Sequence, residues 1–148
     1  MILQTVYSQI DKIEAMFRAA EASAAYFYSV CQCDPTLLLG KEFRLRDIHD
    51  CAEDLDDTYL MRLYAVFEVI LRDFWKKGCH RRTHPNAEVL IDRIASARHT
   101  SGDDLLGARA VREYRNWLVH GGTMPKSVTL SEGASYLCRY LRYLPISW

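Results

Sequence analysis

Residues 58–77 read TYLMRLYAVFEVILRDFWKK. Apolar side chains recur there at every third or fourth position, which is the spacing of one helix face: Leu60, Leu63, Phe67, Ile70, Leu71 and Phe74. An aspartate just before the segment can cap its first turn, and Lys76 and Lys77 suit the negative end of the helix dipole. Gly78 then favours a helix stop. The stretch therefore predicts a long amphipathic helix with one buried face.

The same helical spacing occurs in the segments on either side. Residues 3–30 carry one apolar stripe, made of Val6, Ile10, Ile13, Phe17, Ala20, Ala24, Phe27 and Val30. Residues 47–57 form an acidic connector that favours at most a short helix starting near Asp47. Further helices are predicted over three downstream segments, residues 87–97, 101–120 and 131–144. Because no linker or repeat interrupts the chain, residues 1–148 are predicted to form a single all-α domain, an up-and-down bundle of four to five helices.

Composition narrows the class of protein further. The chain has 148 residues, 49% of them hydrophobic and 26% charged, which excludes a disordered chain and a cysteine-dense secreted scaffold. Its five cysteines are scattered and odd in number, a pattern that favours reduced thiols in a cytosol. No apolar run approaches the roughly 18 residues of a membrane span, and the N-terminus lacks the features of a signal peptide. We therefore expect a cytoplasmic protein without a membrane partner.

Charge is divided unevenly along the chain although the net charge is zero. Residues 1–60 carry five Lys/Arg against eleven Asp/Glu, whereas residues 61–148 carry fourteen against eight. One interpretation is that a polyanion binds the basic second part. The other is that acidic and basic helices pack against each other. Charge alone does not separate the two.

Residues 110–122, AVREYRNWLVHGG, hold the residues best suited to chemistry. On a helical projection one arc is apolar and is expected to pack: Leu106, Ala110, Val111, Tyr114, Trp117 and Leu118. Apart from Val119, the opposite arc is polar: Arg109, Arg112, Arg115, Asn116 and His120. Three guanidinium groups, an amide and an imidazole are thus predicted to share one face of the helix.

That face has the groups needed to cleave RNA without a metal. Arginine presents planar donors that match a phosphate, and histidine, with an ordinary pKa near 6.5, exchanges protons at physiological pH. His120 would serve as general acid or base, Arg115 would stabilise the charge on the phosphate, and Asn116 would orient the imidazole or the substrate. Arg109 and Arg112 would support RNA binding. Since one copy supplies one such histidine, a two-fold dimer would supply a pair.

A purely structural interpretation fits the same residues. A histidine just before Gly121 and Gly122 is favoured at a helix C-terminus because its cation meets the negative end of the dipole. An arginine beside an apolar arc can extend its charge to solvent or pair with an acid. The residues themselves leave both interpretations open.

The spacing Arg115-Asn116-x-x-x-His120 resembles the Arg-x(4–6)-His signature of the HEPN superfamily, including the polar residue after the arginine and the small residue after the histidine. The stretch 59–68 and the Phe74-Trp75 pair are similar to the long preceding helix of some HEPN groups. The resemblance covers roughly residues 56–146. Among these groups, the chain is similar to the RiboL-PSP-like HEPN proteins.

This resemblance implies a HEPN-like bundle with metal-independent ribonuclease activity, acting as a homodimer whose two signatures face one cleft. Proteins of this kind often act as toxins or in anti-phage defence, and many pair with a nucleotidyltransferase-like antitoxin. Arg115, Asn116 and His120 are then the catalytic residues, and no cofactor is required. Other HEPN domains are non-catalytic and bind a nucleotide or a protein partner, which is the alternative function here.

The loop after residue 75 is the densest basic stretch of the chain. Lys76, Lys77, Arg81 and Arg82 would guide RNA phosphates by a sequence-independent attraction. The alternative is a helix end followed by a solvated loop. On the preceding helix, Glu68 either forms a surface pair with Arg72, one turn away, or orients Arg115 across the bundle.

Two cysteine-containing groups invite a metal interpretation. One is Cys79 with His80 and His84, and the other is the Cys31-x-Cys33 pair. Neither has a second pair of ligands at the spacing that zinc sites use. We therefore expect no metal site.

Overall fold

Six α-helices dominate residues 2–148, the part of the chain that this computed structural model describes. They are α1 (Leu3–Cys33), α2 (Leu45–Glu53), α3 (Leu55–Asp73), α4 (Ala87–Arg98), α5 (Gly102–His120) and α6 (Leu130–Leu141). The prediction of an all-helical bundle is confirmed, with 76% helix and no strand in this range. There are six helices rather than four or five because the acidic connector contributes α2 as a separate nine-residue helix. No helix between residues 2 and 148 has both the length and the apolar content needed to cross a membrane.

Side-chain caps begin three of the helices. The Asn86 carboxamide oxygen accepts a hydrogen bond from the Val89 amide at 2.9 Å, which starts α4. The Ser101 hydroxyl accepts one from the Asp104 amide at 3.3 Å, which starts α5. A capping box formed by Thr129 and its Glu132 partner starts α6. The predicted starts of these three helices are each within one residue of the observed ones.

The start of α3 differs from the predicted capping. The helix begins at Leu55, and the two aspartates in its first turn bond to other helices. Asp56 accepts a hydrogen bond from the Leu130 amide at 2.9 Å, and Asp57 accepts one from the Tyr114 hydroxyl at 2.9 Å. The acidic N-terminal end of α3 is therefore hydrogen-bonded to both α5 and α6.

These contacts also fix the direction of the helices. α6 begins beside Asp56 at the start of α3. Farther along, its Tyr140 ring lies 5.5 Å from the Phe67 ring of α3, centre to centre. It ends beside the start of α5, where Arg142 donates to Asp104 at 2.9 Å. α5 therefore runs opposite to both α3 and α6, and its C-terminal end lies beyond the start of α3.

α3 is the central helix of the bundle. Its apolar face is buried as predicted, and it packs against α1, α4, α5 and α6. Tyr140 fills the space between α3 and α4, because its hydroxyl donates to the Ile91 carbonyl at 2.7 Å while its ring lies edge-on to Phe67. The buried ring thus has its one polar atom satisfied.

Only the first half of α1 is buried as the stripe predicts. Val6, Ile10 and Ile13 are in the core, but Phe27 is 39% exposed and neighbouring Tyr26 is 71% exposed. With 31 residues α1 is about 46 Å long, whereas the 19 residues of α3 span about 28 Å. The end of α1 therefore extends past α3, where short α2 and the 3-10 turn Pro35–Leu38 cover only part of it.

Candidate functional site

The three residues of the Arg–His motif lie on the last two turns of α5. Arg115 and Asn116 are partly buried, and His120 is exposed at the end of the helix. The Arg115 guanidinium donates to the Asn116 side-chain oxygen at 3.1 Å. Its central carbon lies 5.7 Å from the centre of the Tyr64 ring on α3, within the range of a cation–π contact. The guanidinium is thereby held between an amide of its own helix and an aromatic ring of the neighbouring one.

Several charged side chains lie near the Tyr64 hydroxyl. Burial raises its pKa to about 12, and the nearby Glu68 carboxylate adds to that effect. The guanidiniums of Arg112, Arg115 and Arg72 act in the opposite direction on the same group. Tyr64 therefore stays neutral at physiological pH and serves as a platform for Arg115 rather than as a proton donor.

His120 lines a shallow depression of about 350 Å³ at the end of α5. Asn116 and Trp117 from the helix contribute to it, together with Thr123 and Pro125 from the following loop. Arg115 does not line this depression, because its side chain leans toward Tyr64. In one copy of the chain the amide and the imidazole thus share a surface, and the guanidinium lies beside it.

The predicted packed arc of α5 is mostly correct. Val111 and Tyr114 are buried, while Ala110, Trp117 and Leu118 are partly buried. Leu106 is the error, since 60% of its surface is exposed. The residue that meets α6 there is Gly107, at which an added Cβ would come within 3.0 Å of the Tyr136 ring. Leu106 is rotated by about 100° from that contact and points to solvent.

Two of the three arginines on the polar face are engaged with α4. Arg109 pairs with Asp92 at 2.9 Å, and Arg112 pairs with Glu88 at 2.8 Å. Within residues 2–148, Arg115 is the arginine of this face with no carboxylate inside 4 Å. Arg109 and Arg112 therefore join α5 to α4, and Arg115 keeps its charge available for an anion.

Glu68 forms the surface pair that its spacing allows. Its carboxylate accepts a 3.0 Å hydrogen bond from Arg72 Nε, and Arg72 Nη1 also donates to the Pro85 carbonyl at 3.1 Å. Arg115 donates its hydrogen bond to Asn116 instead. Glu68 thus fixes Arg72 and, through it, the loop that precedes α4.

The basic loop lies against the end of α3 and encloses a groove of about 800 Å³. Six residues supply its cationic and imidazole groups, and we call this surface the basic groove: Arg72, Lys76, His80, Arg81, Arg82 and His84. Of the four residues predicted to guide RNA phosphates, three line it. The fourth, Lys77, does not line it and pairs with the lining residue Asp73 at 2.6 Å.

The turn that shapes this groove is a π-helical turn, Phe74–Gly78. It directs the chain back over α3, where the Arg81 amide donates to the Trp75 carbonyl at 3.1 Å. Trp75 Nε1 in turn donates to the Thr83 hydroxyl at 3.2 Å. Sequence patterns do not reveal a π turn, but the four-residue spacing of Glu68 and Arg72 does indicate that these two residues are neighbours on the surface of α3.

A group of side chains with metal-ligand geometry lies on α2 and shares no residue with the two cysteine-containing groups. On α2, ligand atoms of His49, Asp50 and Glu53 lie within 4.8 Å of one another. All three side chains are exposed, and the imidazole is 3.6 Å from Glu53 and 5.6 Å from the Tyr28 ring centre. Such a group is common on helix surfaces without an ion, so we assign no metal to it.

Comparison with known protein families, with curated proteins and with solved structures finds no match for this chain. Its function therefore has to be inferred from its own residues.

Proposed function

We propose that the chain is a cytoplasmic, metal-independent endoribonuclease of the HEPN type that cleaves RNA with Arg115 and His120. The observation that carries the proposal is the state of Arg115. It has no carboxylate partner within the described residues, is held by Asn116 and Tyr64, and lies on the same helix as an exposed imidazole. A fixed guanidinium without a carboxylate partner, on the same helix as an exposed imidazole, supplies the two kinds of group that phosphate cleavage uses.

The reaction needs one proton acceptor, one proton donor and a cation. The His120 imidazole of one copy takes the proton from a ribose 2′-hydroxyl, and that oxygen attacks the adjacent phosphorus. The bond from phosphorus to the 5′-oxygen breaks, and the leaving oxygen takes a proton from the second copy's imidazolium. Arg115 donates hydrogen bonds to the phosphate oxygens, where negative charge develops. The products are a 2′,3′-cyclic phosphate end and a 5′-hydroxyl end.

Two features of the α5 terminus support a homodimer. The depression at His120 is shallow, so a second copy facing it would deepen the site. Apolar side chains beside the histidine are also exposed, with Val119 at 47% and Met124 at 56%. A two-fold contact there would cover them and bring two imidazoles and two guanidiniums into one cleft.

The resemblance to HEPN proteins suggests the biological setting. A ribonuclease of this kind would act as the toxin of a toxin–antitoxin or anti-phage defence system, with a nucleotidyltransferase-like protein as its antitoxin. A gene for such a protein next to the gene of this chain would support that role.

Incubation with tRNA and mixed RNA in EDTA tests the proposal. The wild-type protein should cut RNA and leave 2′,3′-cyclic phosphate ends, and Arg115→Ala/His120→Ala should not. Arg46→Ala/His49→Ala is the matched control, since it removes the same two residue types from the exposed surface of α2. If the Arg115→Ala/His120→Ala protein cleaves like the wild type, the mechanism is wrong.

A non-catalytic module that binds a nucleotide or a protein partner is the second candidate. The pairing of Arg109 with Asp92 and of Arg112 with Glu88 favours it, because the α5 face then offers RNA less charge. This function predicts no cleavage by the wild type. Instead, it predicts a thermal shift with nucleotides or co-purification of a partner.

A further inference from the structure

The basic groove holds positive charges that have no partners. Among residues 2–148, Lys76, Arg81 and Arg82 form no ion pair within 4 Å. The one carboxylate lining the groove, Asp73, is already engaged by Lys77 at 2.6 Å and by Trp148 Nε1 at 3.0 Å. The groove therefore presents a surplus of unpaired cations, which favours a ligand with several negative charges.

The groove is held in shape by its backbone. The π-helical turn brings Gly78 against the Phe74 ring so closely that an added Cβ would come within 2.5 Å of it. Two residues later, His80 has a φ of +52°, a conformation that residues other than glycine rarely adopt. π turns and strained backbone occur frequently at functional sites. The cationic loop is thus folded against α3 before any ligand arrives.

The walls of the groove combine these cations with apolar surface. Val69 lines the groove and is 60% exposed, and the partly buried Pro85 lines it as well. Phosphates with attached nucleosides meet both requirements, because a base or ribose can cover apolar surface while the phosphates contact Lys76, Arg81 and Arg82. A purely ionic ligand would leave that apolar surface unused.

α3 extends from the Arg115 region to the groove. Arg115 lies over the buried Tyr64 ring, Glu68 one turn further on is paired with Arg72, and Arg72 lines the groove. Tyr64 and Arg72 are about 12 Å apart along the helix axis. The Arg115 guanidinium is therefore about 12 Å along α3 from the groove.

His120 lies farther from the groove than Arg115 does. α5 runs opposite to α3, and its Tyr114 is level with Asp57 through their hydrogen bond. From Asp57 to Arg72 is about 22 Å of helix, and from Tyr114 to His120 is about 9 Å in the other direction. The groove and the imidazole are thus about 30 Å apart, which is about nine nucleotides at the rise of a stacked strand.

We propose that the basic groove anchors single-stranded RNA, which runs along the α3 face from the groove to the Arg115–His120 end of α5. The cleavage half of this inference rests on the function proposed above, whereas the binding half does not. The groove thereby raises the affinity of the protein for long RNA strands, and the α5 end cleaves a phosphodiester bond about 30 Å away from the groove.

Binding is measured with the full chain and a fluorescent strand of about 12 nucleotides, which exceeds the span between the sites. Its 2′-hydroxyls are methylated to prevent cleavage. Lys76→Gln/Arg81→Gln/Arg82→Gln should raise the Kd about tenfold or more and reduce the slope of log K against log salt by about 2, since each phosphate contact contributes about 0.7. The matched control, Lys12→Gln/Arg18→Gln/Arg46→Gln, removes the same charges from exposed positions of α1 and α2 and should bind like the wild type.

Three results would overturn the proposal. One is a groove variant that binds the strand as tightly as the control does. Another is a poly-glutamate peptide that competes as well as RNA, which would make the groove a site for acidic protein. The third is a mononucleotide that competes as well as the strand, which would make it a small-molecule site.

Cleavage of an unmodified strand of the same length, compared with a dinucleotide, tests the link between the two sites. A dinucleotide cannot span about 30 Å, so the wild type should have a higher kcat/KM on the longer strand. The groove variant should lose about tenfold of that advantage, mainly through KM. An unchanged advantage contradicts the path along α3. If the wild type cleaves nothing, the proposed function fails while the binding experiment still decides the anchoring role.

Discussion

The α5 face and the basic groove both carry several cations, but they use them differently. On α5, Arg109 and Arg112 are paired with carboxylates of α4, and only Arg115 is without such a partner among residues 2–148. In the groove, Lys76, Arg81 and Arg82 are unpaired, and the nearby acid is engaged elsewhere. A count of basic residues therefore overstates the charge that α5 offers and understates the importance of the loop.

The comparison assigns different tasks to the two regions. Paired arginines hold helices together, and a single fixed guanidinium beside an imidazole suits a reaction at one phosphate. A cluster of unpaired cations suits attraction to many phosphates, which is weakened by salt. Changes at the α5 end should therefore affect the reaction rate, and changes in the groove should affect affinity.

The largest expected effect is on the rate after a change of His120. His120→Ala should lower the cleavage rate by about 10²–10⁴-fold, the usual contribution of a general acid or base. The loss of a helix-end interaction should cost at most about 1 kcal/mol of stability. Rates on tRNA with excess protein measure the first effect, and urea unfolding measures the second. His49→Ala is the control, since that histidine is exposed on α2. A His120→Ala protein that is unstable but fully active would leave the residue with only a structural role.

The second effect is on stability at alkaline pH and is confined to the α5 side. Burial raises the pKa of Tyr64 to about 12 in the folded protein, against about 10 when it is unfolded. A raised pKa means that the neutral form is favoured by folding. Its stabilising contribution is present below pH 10 and is lost as the pH rises to about 12, and it amounts to about 2–3 kcal/mol.

Tyr64→Phe removes this titration. The variant should lose less stability than the wild type between pH 9 and pH 12, as measured by urea unfolding at each pH. The pKa of Tyr114 is also raised to about 12, by burial and by Asp57. Because Tyr114 is present in both proteins, part of the fall in unfolding free energy with pH remains in the variant. Identical slopes for the two proteins would mean that Tyr64 ionises freely, which contradicts its buried position under Arg115.

Apolar periodicity was enough to predict five of the six helices. Ser101 caps α5, and the stripe on α3 is buried, whereas the aspartate cap predicted for α3 does not form. These features are local, so the sequence contains them directly. The overhang of α1 was missed because periodicity shows which residues could be covered, but not whether a neighbouring helix is long enough to cover them.

The site was predicted less completely than the helices. The helical projection predicted that Arg115, Asn116 and His120 share one face of α5; Asn116 and His120 do line one depression, whereas Arg115 lies over Tyr64. It could not show that Glu88 and Asp92 neutralise Arg112 and Arg109, because those pairs join residues 24 and 17 positions apart. The π turn that forms the groove was also invisible, since its conformation depends on the packing of Phe74 and Gly78.

The third prediction tests whether the shape of the groove depends on that turn. Gly78→Ala would place a methyl group within 2.5 Å of the Phe74 ring, which is itself packed edge-on to Trp148. Overpacking of this kind costs about 1–3 kcal/mol. Thermal unfolding should show the loss, and RNA affinity should fall with it. Gly102→Ala is the control, because a methyl group there meets nothing within 4 Å. Equal losses of thermal stability in Gly78→Ala and Gly102→Ala would show that the turn accommodates a methyl group at residue 78.

The smallest expected effect concerns the paired arginine Arg112. A double-mutant cycle of Arg112→Gln and Glu88→Gln should give a coupling free energy of about 0.5–1 kcal/mol, since the Glu88 side chain is 56% exposed. Because its charge is used within the bundle, Arg112→Gln should weaken RNA binding far less than the groove variant does. If Arg112→Gln matches that variant, the ion pair opens when RNA binds, and the contrast between paired and unpaired cations no longer distinguishes the two regions. Glu88→Gln then decides the matter, because freeing Arg112 from its partner should tighten RNA binding only if this arginine contacts phosphate.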